Sequence, residues 1–278
     1  MPAWICRTCA VQHEDTEEPP TECAICLDER QYVGHGGQRW TTMSELLETT
    51  ANDRREEEPG LLGIGVKPPV AIGQRALLVQ TPEGNVLWDC VPVLDDATRE
   101  HVDSLNGITA ICMSHPHFYA ANVDIADAFG ATIHIPRADR QWVRRGSPRI
   151  ELFDDEVEPV PGVTMARIGG HFDGAAVLHW PGGSEGRGAL LTGDTIMVVQ
   201  DREWVSFMWS FPNLIPLDEA TVLDIASRVE RFDFDRVYGG WWGKVVVEDG
   251  AASVRRSAER YVARLRGERP EQGPPGPA

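Results

Sequence analysis

The chain of 278 residues is acidic, with 26 Lys and Arg against 43 Asp and Glu and a formal net charge of −17. Its hydrophobic content of 42% is enough for a globular protein with a sizeable core. The negative charge repels phosphate backbones, and no apolar run is long enough to span a membrane. We therefore expect neither nucleic acid nor a membrane as a partner.

Four of the six cysteines are paired by spacing, Cys6 with Cys9 and Cys23 with Cys26. The first residues lack the basic and apolar regions of a signal peptide, so we expect a cytoplasmic protein with reduced thiols. Cysteines two residues apart direct both sulfurs toward one ion, and two such turns complete a tetrahedral site. Residues 1–40 are therefore predicted to form a zinc-ribbon-like module. Zinc is the default ion, and iron in a rubredoxin-like site is the alternative.

Many ribbons of this kind contact other proteins or nucleic acid. The acidic composition favours protein contact or docking onto the rest of the chain. The pattern Thr42-Met43-Ser44-Glu45 has the form of a capping box and predicts a short helix. The charged run 53–60 then reads as a linker, so residues 41–60 are expected to join two domains.

From about residue 61 the sequence consists of short apolar runs punctuated by Gly and Pro, which is typical of packed strands. Helical patterns lie between some of them, which indicates two mixed sheets covered by helices. The predicted strands are residues 76–80, 86–91, 108–113, 132–135, 163–168, 175–180, 189–191 and 236–238. The predicted helices are residues 95–104, 122–128, 139–144, 218–231 and 251–266. The Pro- and Gly-rich tail, residues 267–278, is predicted to be disordered.

Candidate metal ligands follow the ends of these strands. Asp89 ends one strand, and the next runs directly into His115 and His117. His171 lies in a glycine-rich turn between two strands, and Asp194 ends a buried strand. Imidazoles and carboxylates at neighbouring strand ends can converge on one ion.

This ordered set resembles the metallo-β-lactamase superfamily over about residues 61–250. The resemblance implies an α+β fold, a four-layer αββα sandwich over residues 61–266. It also implies a metal site built by His115, His117, His171 and Asp194. Asp89 is expected to position these ligands without binding the metal.

Two departures from the family pattern concern the second metal. The family loop His-x-His-x-Asp-His ends here with Tyr119 and Ala120. The late histidine expected after residues 236–238 is replaced by the run Gly239-Gly240-Trp241-Trp242-Gly243. The missing groups are ligands of the second ion, so we expect a centre with one metal.

Three imidazoles and an open position are what a catalytic zinc ion requires. Asp194 is expected to be either the fourth ligand or a general base that holds water. If it is a ligand, the site is closed and its role is structural, unless substrate displaces a ligand. Tyr119 is a candidate acid or hydrogen-bond donor, or it fills the space of the missing ligands.

The leading hypothesis is a zinc-dependent hydrolase whose partner is a small-molecule ester, thioester, lactone or amide. A second hypothesis is a non-haem iron dioxygenase similar to persulfide dioxygenases, with His115, His171 and Asp194 as its two histidines and one carboxylate. A third hypothesis is a non-catalytic metal-binding protein that interacts with other proteins.

Overall fold

The N-terminal cysteine pairs lie on a small sheet with its own short helix. The computed structural model of the protein describes residues 1–269. Within these residues, three antiparallel strands in the order β2-β1-β3 form the small sheet, and α1 carries Cys26. The elements are β1 (Ala3–Cys6), β2 (Gln12–Asp15), α1 (Ala24–Leu27) and β3 (Trp40–Thr41). Helix α2 (Met43–Leu47) follows, and Thr42 and Glu45 make the predicted capping box.

The first large sheet contains β4 to β10 in sequence order, with β4 at one edge. Strands β4 to β7 are antiparallel, whereas β7 to β10 are parallel. The strands are β4 (Ala51–Glu58), β5 (Leu61–Lys67), β6 (Ala76–Val79), β7 (Val86–Trp88), β8 (Ala110–Cys112), β9 (Thr132–Pro136) and β10 (Ile150–Phe153). Because the parallel strands need crossover connections, helices follow β7 and β8.

The second large sheet has the strand order β11-β12-β13-β14-β19-β20, and two short ribbons, β15-β16 and β17-β18, lie between β14 and β19 in the chain. Its strands are β11 (Glu156–Val160), β12 (Val163–Arg167), β13 (Ala176–Trp180), β14 (Ala189–Thr192), β19 (Arg236–Tyr238) and β20 (Val245–Val246). The ribbons are β15 (Met197–Val198), β16 (Val205–Ser206), β17 (Met208–Ser210) and β18 (Ile215–Pro216).

Helices cover the outer face of each sheet. They are α3 (Asp96–Ser104), α4 (Asn122–Phe129), α6 (Glu219–Val229) and α7 (Gly250–Leu265), whereas the single turn α5 (Gly183–Gly186) connects β13 and β14. Short 3-10 helices lie at Pro116–Phe118, Arg137–Trp142 and Asp194–Ile196. The helix expected over residues 139–144 is present as the second of these 3-10 helices, two residues earlier in the chain. No helix in the described part of the chain is both long and apolar enough to cross a membrane.

Three apolar clusters fill the spaces between these layers. Leu77 and Trp88 of the first sheet meet Leu178 and Leu191 of the second in the central cluster. A second cluster lies between the first sheet and α3 and α4, and a third between the second sheet and α6 and α7. The order helix, sheet, sheet, helix confirms the predicted four-layer α+β sandwich.

The predicted linker at residues 53–60 was wrong. Residues 51–58 form β4, which pairs with β5 along its length. Its charges suit an edge strand, where they discourage pairing with other chains. Glu58, 8% exposed, also accepts hydrogen bonds from Ser184 N–H (3.0 Å) and Arg236 Nη1 (2.6 Å), which tie β4 to the second sheet. The main domain therefore begins near residue 51, not 61.

The N-terminal module packs onto the main domain. Its Cys6, Cys9 and Ile25 belong to the same apolar cluster as Leu62 of β5. Gln12 N–H also donates to the Ala120 carbonyl at 3.1 Å, immediately after the histidine loop. The four-cysteine module and the first large sheet thus share one core.

The C-terminal tail, residues 267–278, is predicted from the sequence to be disordered. Residues 270–278 of this tail lie outside the described residues.

The core between the sheets gives a stability prediction. Leu178 is fully buried between the two sheets, so Leu178→Ala should lower the free energy of unfolding by about 2–5 kcal/mol. The control is Leu223→Ala on α6, where the side chain is 44% exposed and a change within about 0.5 kcal/mol is expected. Urea unfolding measures both, and equal effects would contradict the assignment of this core.

Candidate metal centre

The four donor residues come together where strand ends of the two sheets meet. His115 and His117 follow β8, the latter on the 3-10 helix Pro116–Phe118. His171 lies in the turn between β12 and β13, and Asp194 follows β14. Each side chain is therefore held by the end of a buried strand, as the sequence predicts.

The donor atoms have the spacing of a tetrahedral metal site. Asp194 Oδ2 lies 3.5 Å from His115 Nε2, 3.9 Å from His117 Nδ1 and 3.6 Å from His171 Nε2. His171 Nε2 and His117 Nδ1 are 3.3 Å apart. Metal bonds of about 2.0–2.1 Å place tetrahedral ligand atoms about 3.4 Å apart. The residues therefore fit a single four-coordinate ion without rearrangement of the chain.

Neighbouring oxygens fix the orientation of two imidazoles. His171 Nδ1 lies 3.0 Å from the Met208 carbonyl oxygen, which can only accept, so this nitrogen carries the proton. His115 Nδ1 lies 2.8 Å from Ser114 Oγ. The proton on His171 Nδ1 leaves the Nε2 lone pair of that ring for an ion, and His115 presents its Nε2 lone pair in the same way when its Nδ1 donates to Ser114 Oγ.

Burial sets the charge of the group. His171, His115 and His117 are 0%, 1% and 2% exposed, and Asp194 is 6% exposed. Burial lowers the pKa of His117 and lowers that of His171 well below its usual value, so both rings are neutral ligands at neutral pH. Burial opposes ionisation of Asp194, but charge on and hydrogen bonds from the facing imidazoles of the metal-free group, those of His115 first, outweigh it and hold its pKa well below the usual range; a bound cation would take over this stabilisation.

Unpaired atoms complete the case for an ion. Among the described residues, His115 Nε2 and Asp194 Oδ1 are buried without a hydrogen-bond partner. Buried polar groups in folded proteins are normally paired, and buried charges are paired or bind metals. A cation at this position would satisfy His115 Nε2 and neutralise the carboxylate whose Oδ2 faces the imidazoles.

Asp89 and Gly193 shape the loop that carries His115. Asp89 Oδ1 accepts a hydrogen bond from Ser114 N–H at 2.8 Å, one residue before His115. This contact agrees with a positioning role and keeps Asp89 outside the donor group. A Cβ atom on Gly193 would lie 2.5 Å from Ser114 Oγ and 2.8 Å from His115 Nδ1. Only glycine therefore lets the Asp194 strand approach the histidine loop this closely.

Tyr119 and Ala120 stand where the resemblance places ligands of a second metal. The Tyr119 hydroxyl is buried and, in the described chain, has no hydrogen-bond partner. Burial raises its pKa well above the usual value, and the carboxyls of Asp139 and Asp89 raise it further. Tyr119 is not part of the donor group, and neither residue offers a carboxylate or imidazole for a second ion.

Aromatic packing fills the segment that lacks the late histidine. Trp241 Nε1 donates to the Ile72 carbonyl at 2.9 Å, and its ring packs edge-on against Phe118 at 5.4 Å. The Trp242 ring packs on β5, where a Cβ on Gly63 or Gly65 would lie within 2.7 Å of it. These tryptophans therefore contribute to packing.

Asp139 supports the His171 turn and was missed in the sequence. It is fully buried, and its Oδ1 accepts a hydrogen bond from Gly174 N–H at 2.8 Å. Burial raises its pKa to about 7, although this hydrogen bond favours the ionised form. Its place just after a strand was the only available signal, and nothing in the sequence linked it to His171.

The four N-terminal cysteines form a second group. Cys6 Sγ lies 3.6 Å from Cys26 Sγ, and Cys9 Sγ lies 3.7 Å from Cys23 Sγ. The four sulfurs are within 4.8 Å of one another and are buried. Zinc–sulfur bonds of about 2.3 Å place tetrahedral sulfurs about 3.8 Å apart. The cluster fits one ion, as its paired spacing predicts.

His171 provides a test of the donor assignment. His171→Ala should remove one equivalent of metal per chain and leave the ion of the cysteine cluster, because the two groups share no ligand. Elemental analysis of the purified full-length protein gives both numbers. His101→Ala, an exposed position on α3, should change neither. Full metal content in His171→Ala would refute the assignment.

Asp139 gives a prediction about pH. The folded chain holds this proton up to about pH 7, whereas a free carboxyl loses it near 3.8. Stability relative to Asp139→Asn should therefore fall as pH rises, by on the order of 3 kcal/mol between about pH 5 and about pH 8. Urea unfolding of both proteins measures this difference. The control, Asp154→Asn, changes an exposed carboxyl. A pH-independent difference for Asp139→Asn would contradict the prediction.

No family model matches the chain. Uncharacterized protein YmaE of Bacillus subtilis (strain 168) is 48% identical over 271 residues, which cover 96% of this chain and 98% of that protein.

Solved structures resemble the fold. A crystal structure of VMB-1 has a TM-score of 0.58 at 12% identity and covers 77% of this chain and 98% of its own. The crystal structure of the DIM-1 metallo-β-lactamase has a TM-score of 0.56 at 13% identity and covers 76% of this chain and 97% of its own. Sequence identity this low supports a similarity of fold and nothing more specific. The chain therefore belongs to the family of Bacillus subtilis YmaE and has the metallo-β-lactamase fold.

Proposed function

We propose that the chain is a hydrolase that uses one zinc ion to cleave a small ester, thioester, lactone or amide. The observation that carries the proposal is the buried group of donor atoms spaced 3.3–3.9 Å apart. His115, His117, His171 and Asp194 would hold the ion. The fold adds support, since a metallo-β-lactamase is among its structural neighbours.

The donor set supports one ion rather than two. Tyr119 and Ala120 occupy the loop positions of second-metal ligands, and Trp241 and Trp242 pack where a further histidine is expected. A zinc ion would act as a Lewis acid on a carbonyl group and lower the pKa of water at the site.

Asp194 would have one of two tasks. Its Oδ2 faces the three imidazoles, and its Oδ1 has no partner among the described residues. The low pKa of Asp194 keeps the carboxylate ionised. It would be the fourth ligand through Oδ2, or, if the three imidazoles alone held the ion, it would accept a proton from water at the open position.

The role of Tyr119 as a proton donor remains a prediction. Its raised pKa keeps the hydroxyl protonated, which is the form that donates.

The closure of the site favours a second candidate, a non-catalytic metal-binding protein. All three histidines are at most 2% exposed, and Asp194 is the most accessible donor at 6%. A four-coordinate site with no open position is typical of structural zinc. Substrate would have to displace a ligand.

Metal content and activity together test the proposal. We expect two zinc ions per full-length chain, and hydrolysis of at least one member of an ester, thioester, lactone and amide panel. Removal of metal with a chelator should abolish hydrolysis, and zinc should restore it. Asp194→Asn should lower kcat by about 100-fold or more, as expected for a general base.

Three results would contradict the proposal. Iron bound at the histidine group would favour the dioxygenase. An occupied zinc site with no turnover across the panel would favour the non-catalytic protein. Hydrolysis that survives both metal removal and Asp194→Asn would come from another site or a contaminant.

A further inference from the structure

The loop after α1 extends from the four-cysteine module to the histidine group. Arg30, in this loop, is 7% exposed although it carries a charge. Its Nη1 donates to the His171 carbonyl at 3.3 Å. Its Nε and Nη2 donate to Asp28 Oδ1 at 2.6 Å and Oδ2 at 2.9 Å. The guanidinium group therefore bridges a module carboxylate and the backbone of a metal-binding residue.

Aromatic rings surround the Arg30 guanidinium. Its Cζ lies 3.8 Å from the ring centroid of Phe172, 4.4 Å from Trp209 and 5.3 Å from Trp142. Cation–π contacts become stronger when the pair is shielded from water. Since Phe172 directly follows His171, these contacts restrain the whole turn that carries the histidine.

Backbone contacts fix the loop itself. Asn213 Nδ2 donates to the carbonyls of Glu29 (2.9 Å) and Gln31 (3.1 Å), and Ser210 Oγ donates to the Arg30 carbonyl (3.2 Å). Ser210 belongs to β17, the same strand whose Met208 carbonyl accepts from His171 Nδ1. The module loop and the imidazole ring are therefore held by one strand.

The cysteine cluster anchors the other end of this loop. Cys26 lies on α1, two residues before Asp28, and the N–H groups of Cys26 and Leu27 bond the Cys23 carbonyl. An ion shared by the four sulfurs would hold α1 in place, and so the loop that begins at Asp28.

We propose that Arg30 is a positioning residue for the histidine metal centre, supplied by the four-cysteine module. Through its bond to the His171 carbonyl and its contacts with Phe172, it fixes the His171 imidazole relative to the other donors. This inference rests on the metal-binding part of the proposed function and not on hydrolysis. Removal of such supporting groups typically costs 10–100-fold in metal affinity.

The test is titration of full-length, metal-free protein with Co²⁺ alone. Cobalt bound by thiolates absorbs in the near ultraviolet and also shows visible bands, at longer wavelength than those of cobalt bound by imidazoles and carboxylate. The near-ultraviolet band therefore reports the cysteine cluster, and the shorter-wavelength visible bands report the histidine group. Arg30→Ala should weaken cobalt binding at the histidine group by 10–100-fold and change its visible bands. Arg30→Lys should lie between, because it keeps the charge but not the planar fork. Arg39→Ala, exposed in the same module, should match the unchanged protein.

A second variant covers the case in which Arg30→Ala fails to fold. Asn213→Ser removes the amide that holds the Glu29 and Gln31 carbonyls without changing Arg30 or a donor. It should also weaken cobalt at the histidine group while thiolate absorption is retained. Unchanged affinity and unchanged visible bands in Arg30→Ala, or in Asn213→Ser if Arg30→Ala is unfolded, would overturn the proposal. A protein that binds cobalt as expected but hydrolyses nothing would refute the hydrolase and leave the role of Arg30 intact.

Discussion

Three imidazoles and a carboxylate face one another inside this protein, with little water to solvate them. Asp194 remains ionised there because His115, His117 and His171 offset the cost of its burial. Such a group is stable when an ion satisfies its lone pairs and charge. The strand ends that deliver the donors, the glycine at Gly193 and the hydrogen bonds to the rings all serve this convergence. The two sheets hold the donor residues in fixed positions. The N-terminal module packs against the donor group through Arg30, which contacts His171 and Phe172.

Much of this arrangement was predictable because its signals are local. His115, His117 and Asp194 each directly follow an apolar strand, and strand ends sit at fixed edges of a sheet. Every predicted strand overlaps an observed one for the same reason, since short apolar runs bounded by Gly and Pro are read over a few residues. The capping box at Thr42 was equally local. The spacing of the paired cysteines is enough to predict their cluster.

Other features depend on contacts that no local pattern reveals. Strand β4 carries a charged sequence because it lies at a sheet edge, so it resembles a linker until its pairing with β5 is seen. Met208 holds His171 through a carbonyl, and a backbone atom leaves no trace in residue identity. Arg30 looks like a surface arginine beside Asp28 and Glu29, yet rings from three distant segments enclose it. The acidic composition of the chain predicts that the module contacts a protein or docks onto the main domain, but it does not reveal which residues make the contact.

The contacts between Arg30 and the histidine turn also bear on how the protein folds. The bond to the His171 carbonyl joins residues 141 positions apart, and the Ser210 bond to Arg30 spans 180. Contacts this distant in the chain close large loops, whose entropic cost makes them late events in folding. The centre therefore reaches its full affinity only when the beginning of the chain has met its last third. Tight retention of metal by the histidines thus reports that the N-terminal module, and not the two large sheets alone, has reached its native position.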